Sequence, residues 1–157
     1  MTLKFDVQPQ SSAKKQPSQP RLLNALKKVP VTPATILVVE DDINVAAVME
    51  ARLESFGYNV CDIARTGLKA IEGQDHHRPD LVLMDILLEG DMNGIEAAEQ
   101  ISAKSDVPII FITCLNDPSV LDKAIQTHPY GYLVKPYSFQ HLVSTLEEQL
   151  HHSDRYR

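Results

Sequence analysis

Five short strand-like runs punctuate the sequence from Ala34 onward, and the segments between them carry apolar residues at helical spacing. The runs are Ile36-Leu37-Val38-Val39, Asn59 to Ala64, Leu81-Val82-Leu83-Met84, Val107 to Ile112 and Gly131 to Val134. Near-continuous apolar runs of this length suit strands buried on both faces of a parallel sheet and are too short for packed helices. After the first run, Asp42 can cap a helix carrying Val45, Val48, Met49, Leu53 and Phe56 on one face, ended by a left-handed Gly57. A short helix is expected from about Thr66 to Gln74. Another opens at Asn93 and Gly94 and runs to Lys104, and a fourth starts at Pro118 and runs to about Thr127. In the last, Phe139, Leu142, Val143, Leu146 and Leu150 recur at helical spacing. Connections this long rule out hairpins and imply right-handed crossovers. The fold class is therefore α/β: a doubly wound, five-stranded parallel sheet in the order 2-1-3-4-5, with helices on both faces.

In such a sheet the ligand site forms outside the carboxyl ends of the strands, where the strand order reverses between strands one and three. The chemistry-bearing residues of this sequence fall there. Asp85 ends the third run, Glu40-Asp41-Asp42 follow the first, Thr113 follows the fourth and Lys135-Pro136 the fifth. Carboxylates crowded together repel one another, and out of water their pKa values rise unless a cation compensates. Oxygen ligands from Asp41, Asp85 and Glu40, partly through water, suit a hard divalent ion, with magnesium expected and manganese a substitute. Zinc is disfavoured, because these loops hold no His or Cys that would join a tetrahedral set. With its charge screened, Asp85 can attack a phosphoryl group and become an acyl phosphate. Lys135 supplies a compact cation for the phosphoryl oxygens, and the Thr113 hydroxyl can donate to another. Asp42 is read as the helix cap.

Taken together, Ile-Leu-Val-Val-Glu-Asp-Asp, Leu-Met-Asp-Ile, Ile-Thr and Tyr-Leu-Val-Lys-Pro, in this order and spacing, resemble the receiver domain of two-component response regulators over about residues 34 to 150. The resemblance implies Asp85 as phospho-acceptor, Glu40 and Asp41 as metal-site acids, Thr113 as switch hydroxyl and Lys135 as the amine that senses phosphate. It further implies a metal-ligating Ile86 backbone carbonyl, a cis Lys135-Pro136 bond and Tyr132 as an aromatic switch residue. The implied partner is a sensor histidine kinase or phosphotransfer domain, and the implied output is a changed surface of the fourth helix, fifth strand and fifth helix that docks a downstream protein or a second copy. The loop from Asp85 to Gly94 is one residue longer than in the commonest receivers, a feature shared by a subset. Leu87 and Leu115, two residues after the acceptor and the switch threonine, are both apolar, and slow self-dephosphorylation is expected.

Charge divides the chain. Residues 1 to 33 hold six Lys or Arg against one Asp, a net of +5, whereas residues 34 to 157 hold nine against twenty acids, a net of −11. The acidic body argues against direct DNA binding by the receiver region. Residues 1–33 read as a disordered basic tail with a short amphipathic segment at 21–29, whose Leu22, Leu26 and Val29 share a helical face but need a partner to be stable. Residues 34–152 read as the receiver domain and 153–157 as a C-terminal tail, too short for an effector, so a stand-alone regulator is expected rather than an enzyme. The alternative is a receiver-like interaction module that works without phosphorylation. No run is long enough to span a bilayer, and no secretory signal is evident, so a cytoplasmic location is expected. Cys61 and Cys114, without CxxC spacing, are expected as buried, unreactive thiols. The pairs His76-His77 and His151-His152 read as solvated surface. A flavin site would want Ser, Thr and Gly amides where this chain has acids. A haloacid-dehalogenase-type phosphohydrolase would need its nucleophile where Glu40 stands.

Overall fold

Where a strand is buried on both sides its run reads as apolar with no alternation, and the runs Leu81 to Met84 and Ile109 to Ile112 behave in this way. The computed structural model describes residues 32–114 and 117–153, and every described element belongs to the unit that starts at Pro33. In chain order the elements are β1 (Thr35–Val39), α1 (Ile43–Ser55), β2 (Asn59–Ala64), α2 (Gly67–His77), β3 (Leu81–Asp85), α3 (Gly94–Ser102), β4 (Ile109–Thr113), α4 (Pro118–Gln126), β5 (Gly131–Val134) and α5 (Phe139–Ser153). All residues of β3 and β4 are buried, whereas β2, at the sheet edge, exposes part of its length. The strands pair in parallel, as the alternation of strands and helices implies, and in the expected order β2-β1-β3-β4-β5. The amphipathic segment at 21–29, Leu115 and residues 154–157 lie outside the described residues.

Successive side chains of each strand point to opposite sides, which divides the core in two. Leu37, Val39, Val82, Met84 and Phe111 pack against Ala70 and Ile71 of α2 and Ala98 and Ile101 of α3. On the opposite face Ile36, Val38, Leu81, Leu83 and Ile110 pack against Met49 and Leu53 of α1 and Leu142 and Leu146 of α5.

Helix ends follow local chemistry. The Asp42 carboxylate accepts from the amides of Asn44 (2.8 Å) and Val45 (3.2 Å) at the start of α1. Past its end Gly57 takes φ +87°, a conformation that costs little only for a residue without Cβ. At α3 the Asn93 side chain accepts from Ile95 and Glu96, and the Glu96 carboxylate accepts from the Asn93 amide, so donors are satisfied reciprocally.

Three expectations change. Strand β4 begins at Ile109 rather than Val107: Pro108 has no N–H to donate, and the Val107 amide turns to the Ser105 hydroxyl at 3.2 Å. The apolar face read on α1 is split, because only Ala46, Met49 and Leu53 are buried while Val45, Val48 and Phe56 are exposed. The helix meets the sheet along a stripe narrower than its apolar arc. The thiols are not both buried either: Cys61 is half-buried, and Cys114 is exposed because it follows the last residue of β4, where the chain leaves the sheet.

Candidate functional site at the carboxyl edge of the sheet

Parallel register brings the strand ends to one edge. Asp85 pairs with Ile112, one residue before Thr113, and Thr113 pairs with Val134, one residue before Lys135. Two main-chain bonds extend the ladder past the strands: the Lys135 amide donates to the Thr113 carbonyl (2.8 Å) and the Glu40 amide to the Ala64 carbonyl (3.0 Å). Side chains that leave the strands here therefore have pinned origins.

Lys135 is the centre of the arrangement. Its Nζ lies 2.7 Å from Asp85 Oδ2 and 3.4 Å from Glu40 Oε2. Both acids are nearly inaccessible, at 3% exposure for Glu40 and 5% for Asp85. The other Asp85 oxygen, Oδ1, accepts from the Leu87 amide at 3.0 Å, and Glu40 Oε1 accepts from the Asp42 amide at 3.2 Å. Burial pushes the Glu40 carboxyl above its ordinary value of 4.5; the Asp42 amide and the Lys135 charge counter this in part, and the Asp85 charge reinforces it. For Lys135, burial works to lower the pKa, but the hydrogen bond and charge of Asp85, joined by Glu40, outweigh it and raise the ammonium above its usual 10.5. Lys135 stays charged.

The remaining candidates take different places. Thr113 is buried at the end of β4, beside the ladder that carries Asp85 and Lys135. Asp41 is half-buried; its Oδ2 accepts from the Glu89 amide at 3.1 Å, and its main-chain oxygen accepts from Arg65. The Ile86 carbonyl accepts from the Gly94 amide at 2.9 Å, so one of its lone pairs holds the loop to α3. Tyr132, on β5, is exposed at 49%, outside the acidic group. The Lys135-Pro136 peptide bond is cis. Sequence reasoning missed Arg65 and the Glu89 amide. Only the position of Arg65, directly after β2 at the same edge, offered a signal.

Glu40 and Asp85 bring two carboxylates against the one ammonium of Lys135, Asp41 adjoins Glu40 in the chain, and the oxygens these acids offer are hard ligands. Among the described residues no group of three or more His, Cys, Asp or Glu side chains is placed to hold a metal ion by itself. Magnesium retains several waters and takes only one or two protein carboxylates directly, so an open acidic pocket of this kind fits it.

The model of the response regulator receiver domain matches residues 36–147. This chain belongs to the response regulator receiver family. Similar curated proteins include the transcriptional regulatory protein ZraR of Escherichia coli K12, 35% identical over 119 residues that make up 75% of this chain and 26% of that protein. Another is the transcriptional regulatory protein PdtaR of Mycobacterium tuberculosis H37Rv, 31% identical over 73% of this chain and 56% of that protein. The receiver thus spans between about a quarter and about half the length of these relatives. Among solved structures, the receiver domain of a modulated diguanylate cyclase from Desulfovibrio desulfuricans G20 superposes with a TM-score of 0.74 at 34% identity, covering 80% of this chain and 99% of that one. The receiver domain of the sensor histidine kinase PA1611 from Pseudomonas aeruginosa PAO1, with magnesium coordinated in its active site cleft, superposes with a TM-score of 0.69 at 30% identity over 75% of this chain and 98% of that one. Among the described residues of this receiver no helix is long and apolar enough to cross a membrane.

Proposed function

We propose that this receiver takes a phosphoryl group on Asp85 from a phosphohistidine of a sensor histidine kinase or phosphotransfer protein, and acts as a stoichiometric signalling switch rather than an enzyme. The observation that carries this reading is the contact of Lys135 Nζ with Asp85 Oδ2 at 2.7 Å, beside the buried Glu40 and at the carboxyl edge of β3. In the transfer an Asp85 carboxylate oxygen forms the new P–O bond, the P–N bond to the donor imidazole breaks, and the bonding pair stays on that nitrogen, which a proton then neutralises. Lys135 exchanges its carboxylate contact for a phosphoryl oxygen, and the buried Thr113 hydroxyl, next to Asp85's partner Ile112, donates to another.

A magnesium or manganese ion held by Asp41, Asp85 and Glu40, directly or through water, would supply the charge neutralisation that lets an anionic nucleophile meet an anionic phosphoryl group. The Ile86 carbonyl could join that set only with the lone pair left over from its bond to the Gly94 amide. Tyr132, on the exposed side of β5, is the aromatic residue proposed to move with Thr113 and Lys135 when the α4–β5–α5 surface changes. That surface is proposed to dock a downstream protein or a second copy in the cytoplasm.

The test is incubation with acetyl phosphate and magnesium, followed by intact mass. A single phosphoryl addition to the wild type, absent in Asp85→Asn, supports the reading. No addition to the wild type favours an interaction module that works without phosphorylation.

A further inference from the structure

The strand ladders fix Asp85 and Lys135, but they do not fix Asp41, which lies two residues past the last ladder position of β1. Two other loops hold it. Arg65, in the β2–α2 turn, donates to the Asp41 main-chain oxygen through both Nε (3.2 Å) and Nη2 (3.1 Å). The Glu89 amide, in the loop after β3, donates to Asp41 Oδ2 at 3.1 Å. Arg65 directly follows Ala64, whose carbonyl takes the Glu40 amide, so donor and acceptor each stand one residue from a main-chain bond that pins them. A two-nitrogen grip on one oxygen uses the planar fork of a guanidinium, which the ammonium of Lys cannot reproduce.

The geometry points to Arg65 as a positioning residue for the metal site: by gripping the Asp41 backbone it keeps the Asp41 carboxylate at the pocket and, through the Glu89 amide, ties the loop that follows Asp85. This deepens the phospho-acceptor reading and rests on it where magnesium is concerned. A second cation near the pocket would, by charge alone, repel a divalent ion and weaken its binding. Positioning strengthens it. The two effects therefore carry opposite signs, and removal of the side chain separates them.

The experiment compares wild type, Arg65→Ala and Arg65→Lys by calorimetric titration with magnesium chloride and by amide hydrogen exchange at Glu89 in the metal-free proteins. Arg65→Ala should weaken magnesium binding about fivefold, the loss of one modest hydrogen-bonded contact, and Arg65→Lys should recover only part of it. The Glu89 amide of Arg65→Ala should exchange faster with no metal present, while the unfolding midpoint stays close to wild type because Arg65 is exposed. Magnesium binding as tight as wild type or tighter, or unchanged Glu89 exchange, overturns the assignment. If the wild type itself fails to bind magnesium, the metal part of the proposed function falls, and the exchange comparison alone decides the tether.

Discussion

A Cβ on Gly94 would run into the main-chain oxygen of Asp85, so these two residues approach as closely as their backbones permit. The Gly94 amide adds a 2.9 Å bond to the Ile86 carbonyl, and the start of α3 is thereby held against Asp85, the proposed phospho-acceptor. Gly94→Ala should force the loop after β3 away from α3. The expected cost is at least about 1–3 kcal/mol of stability, as for an overpacked core, together with slower labelling by acetyl phosphate. Urea unfolding and the labelling rate check both, and a neutral substitution would show that the loop yields freely.

Removing the Lys135 charge should leave Glu40 and Asp85 buried without a compensating cation. In metal-free buffer Lys135→Met should destabilise the fold, by less than the roughly 3–5 kcal/mol typical of a fully buried pair, since about a quarter of the Lys135 side chain is exposed. Magnesium should then raise the unfolding temperature of Lys135→Met more than that of the wild type, because a divalent ion neutralises the same carboxylates. Equal shifts would argue against a shared pocket.

The two thiols should separate in reactivity. Exposed Cys114 should be alkylated in the native protein, whereas Cys61 is half-buried with its Sγ 3.5 Å from the Ile36 carbonyl and should react only on unfolding. Burial pushes the Cys61 thiol above its ordinary 9.0. A raised folded pKa gives stability that is complete below the unfolded value and is lost as pH rises through the folded one. Cys61→Ser should therefore flatten the loss of stability above about pH 9, read as the difference between wild-type and variant denaturation midpoints.

Leu87 presents an exposed apolar side chain two residues after Asp85, while its amide holds Asp85 Oδ1. With no polar side chain there to orient water, the phosphorylated form should last minutes or longer. Leu87→Gln, which adds an amide able to bind water, should shorten that lifetime severalfold. A wild-type lifetime of seconds would contradict this.

The fold was legible because its central strands are buried on both faces: β3 and β4 read as unbroken apolar runs, and each ends at the edge where chemistry can sit. Asp85 and Thr113 were visible for the same reason, as polar residues placed just where such runs stop, and Lys135 stood out after the shorter run of the edge strand β5. The packing of α1 was not, since Val45 and Val48 are as apolar as Met49 and Leu53, and only the sheet's position decides which are covered. Cys114 was misplaced by its apolar neighbours, although it lies one step past the strand. The tether on Asp41 was hidden more deeply. The Arg65 grip ends on a main-chain oxygen, which every residue carries, and the bond to Asp41 Oδ2 comes from a main-chain amide, which every residue but proline carries, so no residue type marks those ends.

The most direct measurement is chemical: treat the acetyl phosphate-labelled protein with borohydride and map the product by peptide mass spectrometry. Hydride reduces an acyl phosphate to the alcohol with release of phosphate, so homoserine is expected at position 85, with Asp41 and Asp42 unmodified. Homoserine at either of those positions, or at none in protein that carries the phosphoryl mass, would contradict it.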